Sequence, residues 1–196
     1  MTGKDILKIT FNLVIVYLVG GLILSFVYAN ASPRIFANNE KAEQDNLKKL
    51  APSADKFDKM GEWMSLEKHD KFFAVKKGEE TMGYVIQSFG KGYSSYINTF
   101  TSVDKDLRVQ KINVLSHGET PGLGDEIETD WFKDQFGGKD LEHLKVLKTD
   151  TKEYIQAISG ATISSRAVTE DAVKNGVEFL SKTVKGGNAD GGHKHD

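Results

Sequence analysis

The sequence lacks cysteine, and this absence excludes several classes of site. Without a thiol the chain can form no disulfide, thiolate-ligated iron–sulfur cluster, thioether-linked haem or cysteine-based zinc site. Any redox chemistry must therefore use an organic cofactor or histidine ligands. The five histidines do not form a recognisable metal-binding pattern, and we expect no metal; they are His69, His117, His143, His193 and His195.

The sequence also lacks an excess of either charge, because its formal net charge is −2. Lysine and acidic residues are interspersed, so we expect no nucleic-acid binding. No nucleophile elbow occurs, which argues against a hydrolase with a Ser-His-Asp triad. With 196 residues, 39% of them hydrophobic and 28% charged, the chain has room for one globular domain and an appendage.

Charge is missing altogether from Ile9 to Pro33. This apolar run exceeds the roughly 20 residues that a membrane-spanning helix needs, and Tyr17 and Tyr28 suit the membrane interfaces. We therefore predict a single transmembrane helix over residues 11–28.

A cleaved signal peptide is the alternative to this anchor, because Ala29-Asn30-Ala31 resembles a cleavage site. The apolar core is longer than the roughly 7–15 residues typical of such peptides, which favours the anchor. Lys4 and Lys8 precede the run and only Arg34 follows it closely. This distribution favours a cytoplasmic N-terminus and an extracytoplasmic C-terminal domain.

Beyond the anchor, residues 38–50 are rich in helix formers and end before Pro52, which is typical of an exposed helix. Four strand-like segments follow, and the short turns between them favour antiparallel pairing; they are 71–77, 81–89, 95–103 and 107–117. We divide the chain into an anchor, a helical stalk or linker, a domain and a flexible tail, at 1–33, 34–65, 66–185 and 186–196.

The last part of the domain adds helices to the sheet. Asp130 is a candidate cap for a short helix through Phe136, and 145–149 and 154–157 are further short strand candidates. An apolar stripe predicts a helix from about residue 165 to 185; its members are Val173, Val177, Leu180 and Val184. The predicted fold class is α+β, with a mostly antiparallel twisted sheet flanked by helices.

The stretch Ser159-Gly160-Ala161-Thr162-Ile163-Ser164-Ser165 places four hydroxyl groups just before that helix. The first backbone N–H groups of a helix have no intrahelical partner and carry partial positive charge, which suits a phosphate, and Arg166 offers a second counter-charge. The alternative is an ordinary helix start, with Ser164 or Ser165 as the N-cap.

Glu119-Thr120-Pro121-Gly122-Leu123-Gly124 forms a second notable segment. One proline and two glycines around a leucine favour a rigid loop whose backbone can approach a flat ligand. An ordinary Pro-Gly turn is the alternative.

Both segments resemble signatures of one family. Ile158-Ser159-Gly160-Ala161-Thr162 resembles the flavinylation motif of the FMN-binding domain in the G subunit of Rnf electron-transport complexes and in the C subunit of sodium-pumping NADH:quinone reductase. The resemblance implies that Thr162 carries FMN through a phosphoester made by a separate flavin transferase from FAD. The family usually has Asp where this chain has Gln156.

The second signature is similar to residues 117–124, and the resemblance extends over most of residues 70–185. It implies that Leu123 contacts the flavin ring and that Glu119 and Thr120 line its polar edge. It assigns the remaining motif positions to transferase recognition, flavin binding or helix capping; they are Ser159, Gly160, Ala161, Ser164 and Ser165. Lys148, with Lys145, is a candidate cation for stabilising a reduced, anionic flavin, although most surface lysines are only solvated.

The function implied by this resemblance is electron relay, not turnover of a substrate. The chain would be a single-pass subunit in the plasma membrane, working with other membrane subunits of a ferredoxin:NAD-type ion-translocating oxidoreductase. The C subunit of a sodium-pumping quinone reductase is one alternative. A membrane-anchored assembly module without redox function is another.

Overall fold

The structure, a computed structural model, describes residues 3–185. The chain divides into two compact units, Met1–Asp45 and Asn46–Asp196. The predicted flexible tail, with His193 and His195, lies outside the described residues.

Helix α1 spans Gly3–Leu50 and continues through Pro33. In the first unit its large apolar side chains are exposed along most of the stretch between Leu7 and Tyr28, and the helix is long and apolar enough to cross a membrane. Soluble proteins rarely expose so continuous an apolar surface, so this stretch is suited to lipid contact. The helix predicted over 38–50 is the end of α1, where the N–H of Ala51 still donates to the carbonyl of Leu47 at 3.0 Å.

The second unit is built on a five-stranded antiparallel sheet in which each strand pairs with the next one along the chain. The strands are β1 Lys56–Ser65, β2 Lys68–Lys77, β3 Glu80–Lys91, β4 Tyr96–Asp104 and β5 Val109–Ser116. The four predicted strands correspond to β2–β5, and their antiparallel pairing is confirmed. Strand β1 was not predicted, and it lies in the segment that we assigned to the stalk or linker.

The two faces of the sheet bury different clusters, as the alternation of side chains along a strand requires. Ile86 points into the larger cluster, which also contains the buried side chains of the C-terminal helices. Its neighbour Val85 points to the opposite face, where the end of α1 covers it with Leu47 and Leu50. Both faces of the sheet are therefore buried over its central strands.

Short elements connect β5 to the C-terminal helices. They are a 3₁₀ turn at Gly124–Glu128, α2 at Asp130–Lys133, a 3₁₀ turn at Asp134–Phe136, and the short strands β6 Val146–Leu147 and β7 Ile155–Gln156. Thr129, not Asp130, is the N-cap of α2, because its hydroxyl accepts the N–H of Phe132 at 3.4 Å. Strands β6 and β7 pair in parallel and form a two-stranded sheet of their own, separate from the large sheet.

The final segment is helical from Thr162 to Lys185, and we refer to it as the C-terminal helical run. It consists of α3 Thr162–Arg166, a π-helical turn Ala167–Lys174, α4 Asn175–Leu180 and a second π-helical turn Ser181–Lys185. The run begins three residues earlier than the predicted start near residue 165. The apolar stripe that guided the prediction lies further along the run, so it could not fix the first turn.

Candidate functional site

A cleft of about 1220 Å³ lies where the loop after β5 meets the start of the C-terminal helical run. Its volume is slightly above the roughly 300–1,000 Å³ typical of small-molecule sites. The cleft is lined by Tyr93, Glu119, Thr120, Leu123, Gly124, Glu126, Trp131, Lys148, residues 156–161, Thr162, Ile163 and Ser164. Both segments that the sequence singled out therefore contribute to one site.

The hydroxyl motif enters the cleft through a tight turn. The N–H of Ala161 donates to the carbonyl of Ile158 at 3.0 Å, and Gly160 occupies the third turn position with φ +79°. This φ favours glycine, because a side chain there is strained. The turn places Thr162 at the first position of α3, half-buried on the wall of the cleft.

The second loop touches this turn through Leu123. A Cβ atom built on Gly160 would lie 3.2 Å from Cδ2 of Leu123, so the leucine side chain lies against the turn. The carbonyl of Thr120 accepts the N–H groups of Leu123 and Gly124 at 3.2 and 3.0 Å, which closes the loop on itself. Leu123 still keeps 46% of its surface exposed. The two loops thus form adjoining walls with an apolar side chain presented to the cleft.

Glu119 joins three parts of the site. Its Oε1 accepts the N–H groups of Ser94 and Ser95 at 3.0 and 3.1 Å, and its Oε2 accepts the N–H of Tyr93 at 3.0 Å and the hydroxyl of Ser164 at 2.5 Å. Burial alone would raise the pKa of this carboxyl, but the four hydrogen bonds outweigh it and hold the pKa below its usual value. Glu119 is therefore an ionised, nearly buried link.

Ser164 and Ser165 lie inside the first turn of α3, so the alternative in which one of them is the N-cap is wrong. The hydroxyl of Ser165 is buried, donates to the carbonyl of Ala161 at 2.9 Å and accepts the N–H of Ile158 at 3.0 Å. The N-cap position is Ala161, which has no side-chain oxygen. The N–H groups of the first helical turn therefore receive no side-chain cap, which suits an anion.

The sequence-predicted site residues come together with one exception. Ser159, Gly160, Ala161, Thr162, Ser164, Glu119, Thr120, Leu123 and Lys148 all line the cleft, whereas Ser165 faces the protein interior. Lys148 is an exposed cation on the wall. Lys145 and Arg166 are exposed but do not line the cleft.

The sequence analysis did not identify several of the residues that line the cleft. Tyr93, Trp131 and Ile163 line it with 74%, 52% and 53% of their surface exposed. Gln156 also lines it, and its backbone N–H donates to the side chain of Gln135 at 2.7 Å. An apolar or aromatic residue next to a turn does not by itself indicate a binding site, so Tyr93, Trp131 and Ile163 had no local signal. Gln156 had been noted only because it replaces the family's Asp.

The residues of the cleft fit FMN. Exposed apolar side chains are available for the flat ring, while the uncapped first turn of α3 and the Thr162 hydroxyl are available for the phosphate. Among residues 3–185 no cluster of three or more His, Asp or Glu side chains is placed to hold a metal ion.

Comparison with known proteins supports this interpretation. The FMN-binding domain family matches residues 92–178. Over 186 residues the chain is 38% identical to the G subunit of the proton-translocating ferredoxin:NAD(+) oxidoreductase complex of Clostridium ljungdahlii, covering 94% of this chain and 96% of that protein. It is 35% identical over 144 residues to the G subunit of the Na(+)-translocating ferredoxin:NAD(+) oxidoreductase complex of Acetobacterium woodii, covering 67% of this chain and 69% of that protein.

The fold is similar to the crystal structure of NqrC from Shewanella oneidensis, with a TM-score of 0.54, 23% identity, and coverage of 72% of this chain and 74% of that one. This likeness agrees with the predicted α+β class. The chain therefore belongs to the family of G subunits of ion-translocating oxidoreductase complexes, and it carries their FMN-binding domain.

Proposed function

We propose that this chain is an electron-carrier subunit of a membrane-bound, ion-translocating oxidoreductase of the ferredoxin:NAD type. The observation that carries the proposal is the cleft, in which both family signatures meet around Thr162. The match to a G subunit over 94% of the chain favours this role over the C subunit of a quinone reductase and over an assembly module. The chain relays electrons and needs other membrane subunits for turnover.

Thr162 is the proposed attachment point of FMN. Its Oγ1 would attack the phosphorus of the FMN half of FAD, the phosphoanhydride bond would break, AMP would leave and the hydroxyl proton would be lost. A separate flavin transferase would supply this step. The half-buried position of Thr162 at the open start of α3 supports the proposal, because the phosphate would lie beside N–H groups that no side chain caps.

The other residues of the cleft would bind and orient the FMN. When bound, FMN supplies the capacity to accept and pass on electrons. Leu123 would pack on the ring, and Lys148 would place a positive charge near it, which favours the reduced form. Glu119 would act indirectly, by holding loop 92–95 and Ser164 in position rather than by touching the ring.

The cleft is open to its surroundings, and exposed aromatic side chains stand on its walls. An open site suits a relay, since electrons must enter from one partner and leave to another. We place the domain on the extracytoplasmic side of the plasma membrane, because the lysines that precede the apolar stretch favour a cytoplasmic N-terminus. The apolar part of α1 would be its anchor.

Rapid reduction of native membranes tests the relay. NADH or reduced ferredoxin is mixed with membranes from the native host, and the flavin absorbance of this subunit is obtained as the difference between wild-type and Thr162→Val membranes. We expect this flavin to be reduced at least as fast as the complex turns over. A flavin that stays oxidised during steady turnover would show that the chain is not on the electron path.

A further inference from the structure

The segment from residue 117 to residue 128, which we call the cleft loop, leaves strand β5 after Ser116 and ends with the 3₁₀ turn at Glu128. It carries Leu123 and Glu119, which line the cleft. His117 lies at the base of this loop, with only 11% of its side chain exposed. Polar side chains that are largely buried are usually hydrogen-bonded, and both nitrogens of this ring have a partner within the loop.

The two ring nitrogens of His117 contact opposite ends of the cleft loop. Nδ1 accepts the backbone N–H of Glu119 at 3.1 Å, and Nε2 lies 3.0 Å from Oε1 of Glu128. The first partner is two residues further along the chain, and the second is eleven residues further along. One imidazole ring therefore joins the start of the loop to its end.

These partners determine which nitrogen of His117 carries the proton. A backbone N–H can only donate, so Nδ1 must keep its lone pair to accept the N–H of Glu119. The carboxylate of Glu128 can only accept, so Nε2 must carry the hydrogen. The pair of contacts therefore requires the neutral ring with its proton on Nε2. A proton on Nδ1 would face the N–H of Glu119 and break that hydrogen bond.

Glu119 connects His117 to the opposite wall of the cleft. Its backbone N–H is held by His117, while its carboxylate accepts the hydroxyl of Ser164 at 2.5 Å. Ser164 lies two residues after Thr162 in the first turn of α3. His117 is not one of the residues that line the cleft, so any effect that it has on a ligand there passes through Glu119 and the rest of the loop.

The cleft loop is bonded to itself between its two ends, so the position of its base determines the position of its tip. The N–H of Leu123 donates to the carbonyl of Thr120 at 3.2 Å and to Oδ1 of Asp125 at 3.1 Å. Ile127, just before the end of the loop, is fully buried in the larger core cluster. A shift of the backbone at Glu119 is therefore transmitted to Leu123, the apolar side chain that faces the cleft.

We propose that His117, as the neutral tautomer with its proton on Nε2, is a positioning residue that sets the place of Leu123 against the flavin ring. Glu128 favours this tautomer by accepting the Nε2 proton, and Nδ1 then holds Glu119. The bond to Glu119 is the more important one, because the Glu128 side chain is 57% exposed and exposed pairs of this kind contribute little. The inference rests on the proposed function, since it needs FMN in the cleft.

Nitrogen-15 NMR of the histidine rings, in the full-length protein in detergent micelles at mildly alkaline pH, tests the tautomer. We expect His117 to give a protonated Nε2 and an unprotonated Nδ1, and we assign its signals by their loss in His117→Asn. His143 is the internal control, because its Nδ1 lies 2.5 Å from Oδ1 of Asp140 and must carry a proton to bond there. A His117 ring that is protonated on Nδ1 would overturn the proposal.

Two amide variants separate the roles of the two nitrogens. The side-chain oxygen of Asn can take the place of Nδ1 and accept the N–H of Glu119, whereas the side-chain nitrogen of Gln can take the place of Nε2 and donate to Glu128. We expect the midpoint potential of the flavin to stay close to the wild-type value in His117→Asn and to shift in His117→Gln. Glu128→Gln keeps an acceptor for Nε2 and should leave the potential unchanged. An unchanged potential in His117→Gln, or a shift as large in His117→Asn, would overturn the role of Nδ1.

In-gel flavin fluorescence of the same samples distinguishes failure of this inference from failure of the proposed function. A fluorescent wild-type band together with a His117 ring protonated on Nδ1 would overturn the role of His117 and leave the electron carrier in place. A dark wild-type band would overturn the proposed function and the positioning role with it, whatever the tautomer of His117.

Discussion

The carboxylate of Glu119 accepts the hydroxyl of Ser164 at 2.5 Å, which joins two segments that lie 45 residues apart in the sequence. Three backbone N–H groups of the loop at 93–95 hold the same carboxylate. The walls of the cleft are thus fixed to each other by one buried negative charge. This link is part of the cleft wall and fixes the loop of Leu123 relative to the helical turn of Thr162.

Replacing Glu119 should therefore loosen the site and lower stability. We expect Glu119→Gln to reduce the free energy of unfolding by about 3 kcal/mol, because it removes a charge that accepts four hydrogen bonds. Glu126→Gln, an exposed residue on the same cleft, is the matched control and should change stability by less than about 0.5 kcal/mol. Equal stability of the two variants in urea titrations would contradict the role of the link.

The pH dependence of this link has a definite sign. Because the folded protein lowers the pKa of Glu119, its contribution to stability is complete above the ordinary glutamate pKa. The contribution is lost as the pH falls through the lower folded value. Urea titrations at pH 3 to 6 should show a smaller loss of stability with acid in Glu119→Gln than in the wild type.

Asp70 on β2 is fully buried, and burial raises the pKa of its carboxyl, so its effect on stability should have the opposite pH dependence. Its folded pKa of about 6 lies above the ordinary aspartate value of 3.8, so its contribution is complete below pH 3.8 and is lost as the pH rises through about 6. A difference of this size corresponds to about 3 kcal/mol. Asp70→Asn should remove this decline between pH 4 and 6, measured by urea titration at each pH. A variant whose stability changes with pH as the wild type does would show that Asp70 does not titrate there.

Those elements of the fold that have a clear local sequence pattern could be predicted, and those that depend on tertiary contacts could not. The strands β2–β5 are runs rich in β-branched and aromatic residues between short turns, and all four were found. Strand β1 was missed because it is an edge strand whose exposed positions mix charged residues with two methionines, so it shows neither an apolar run nor a regular alternation. Its pairing with β2 depends on tertiary contacts that the isolated segment does not reveal.

The two motifs of the site could be predicted from the sequence, but the hydrogen bonds between them could not. Thr162 and Leu123 were identified from two short segments that resemble one family. The bond between Glu119 and Ser164 could not be inferred, because it depends on how two distant loops pack. Ser165 was grouped with the cofactor-binding residues since it is next to the motif, yet its position in the helical turn directs it to the carbonyl of Ala161.

Leu123→Ala should leave FMN attached and shift its midpoint potential. The side chain lies against Gly160 and is exposed to the cleft, so the substitution changes the surroundings of the ring and not the proposed phosphate linkage. Redox titration of the purified variant measures the shift. Leu66→Ala, at an exposed leucine in the β1–β2 turn, is the control and should leave the potential unchanged. Identical potentials in wild type and Leu123→Ala would place the ring elsewhere.

The N-terminal apolar stretch should remain in the mature protein. It is exposed along α1 and long enough to span a bilayer, which is typical of an anchor. N-terminal sequencing of protein from native membranes measures this directly, and we expect a sequence that begins at or next to Met1. A mature chain that begins at Ser32 would identify Ala29-Asn30-Ala31 as a cleavage site.

In-gel flavin fluorescence after denaturing electrophoresis tests the central claim, that FMN is bound covalently at Thr162, most directly. The protein is made in a host that contains the flavin transferase, as wild type, as Thr162→Val and as the neighbouring control Ser159→Ala. Valine keeps the β-branched shape but has no hydroxyl for a phosphoester. We predict a fluorescent wild-type band, a dark Thr162→Val band and a band for Ser159→Ala that keeps part of its fluorescence. A Thr162→Val band as bright as the wild type, or a dark wild-type band, would contradict the account.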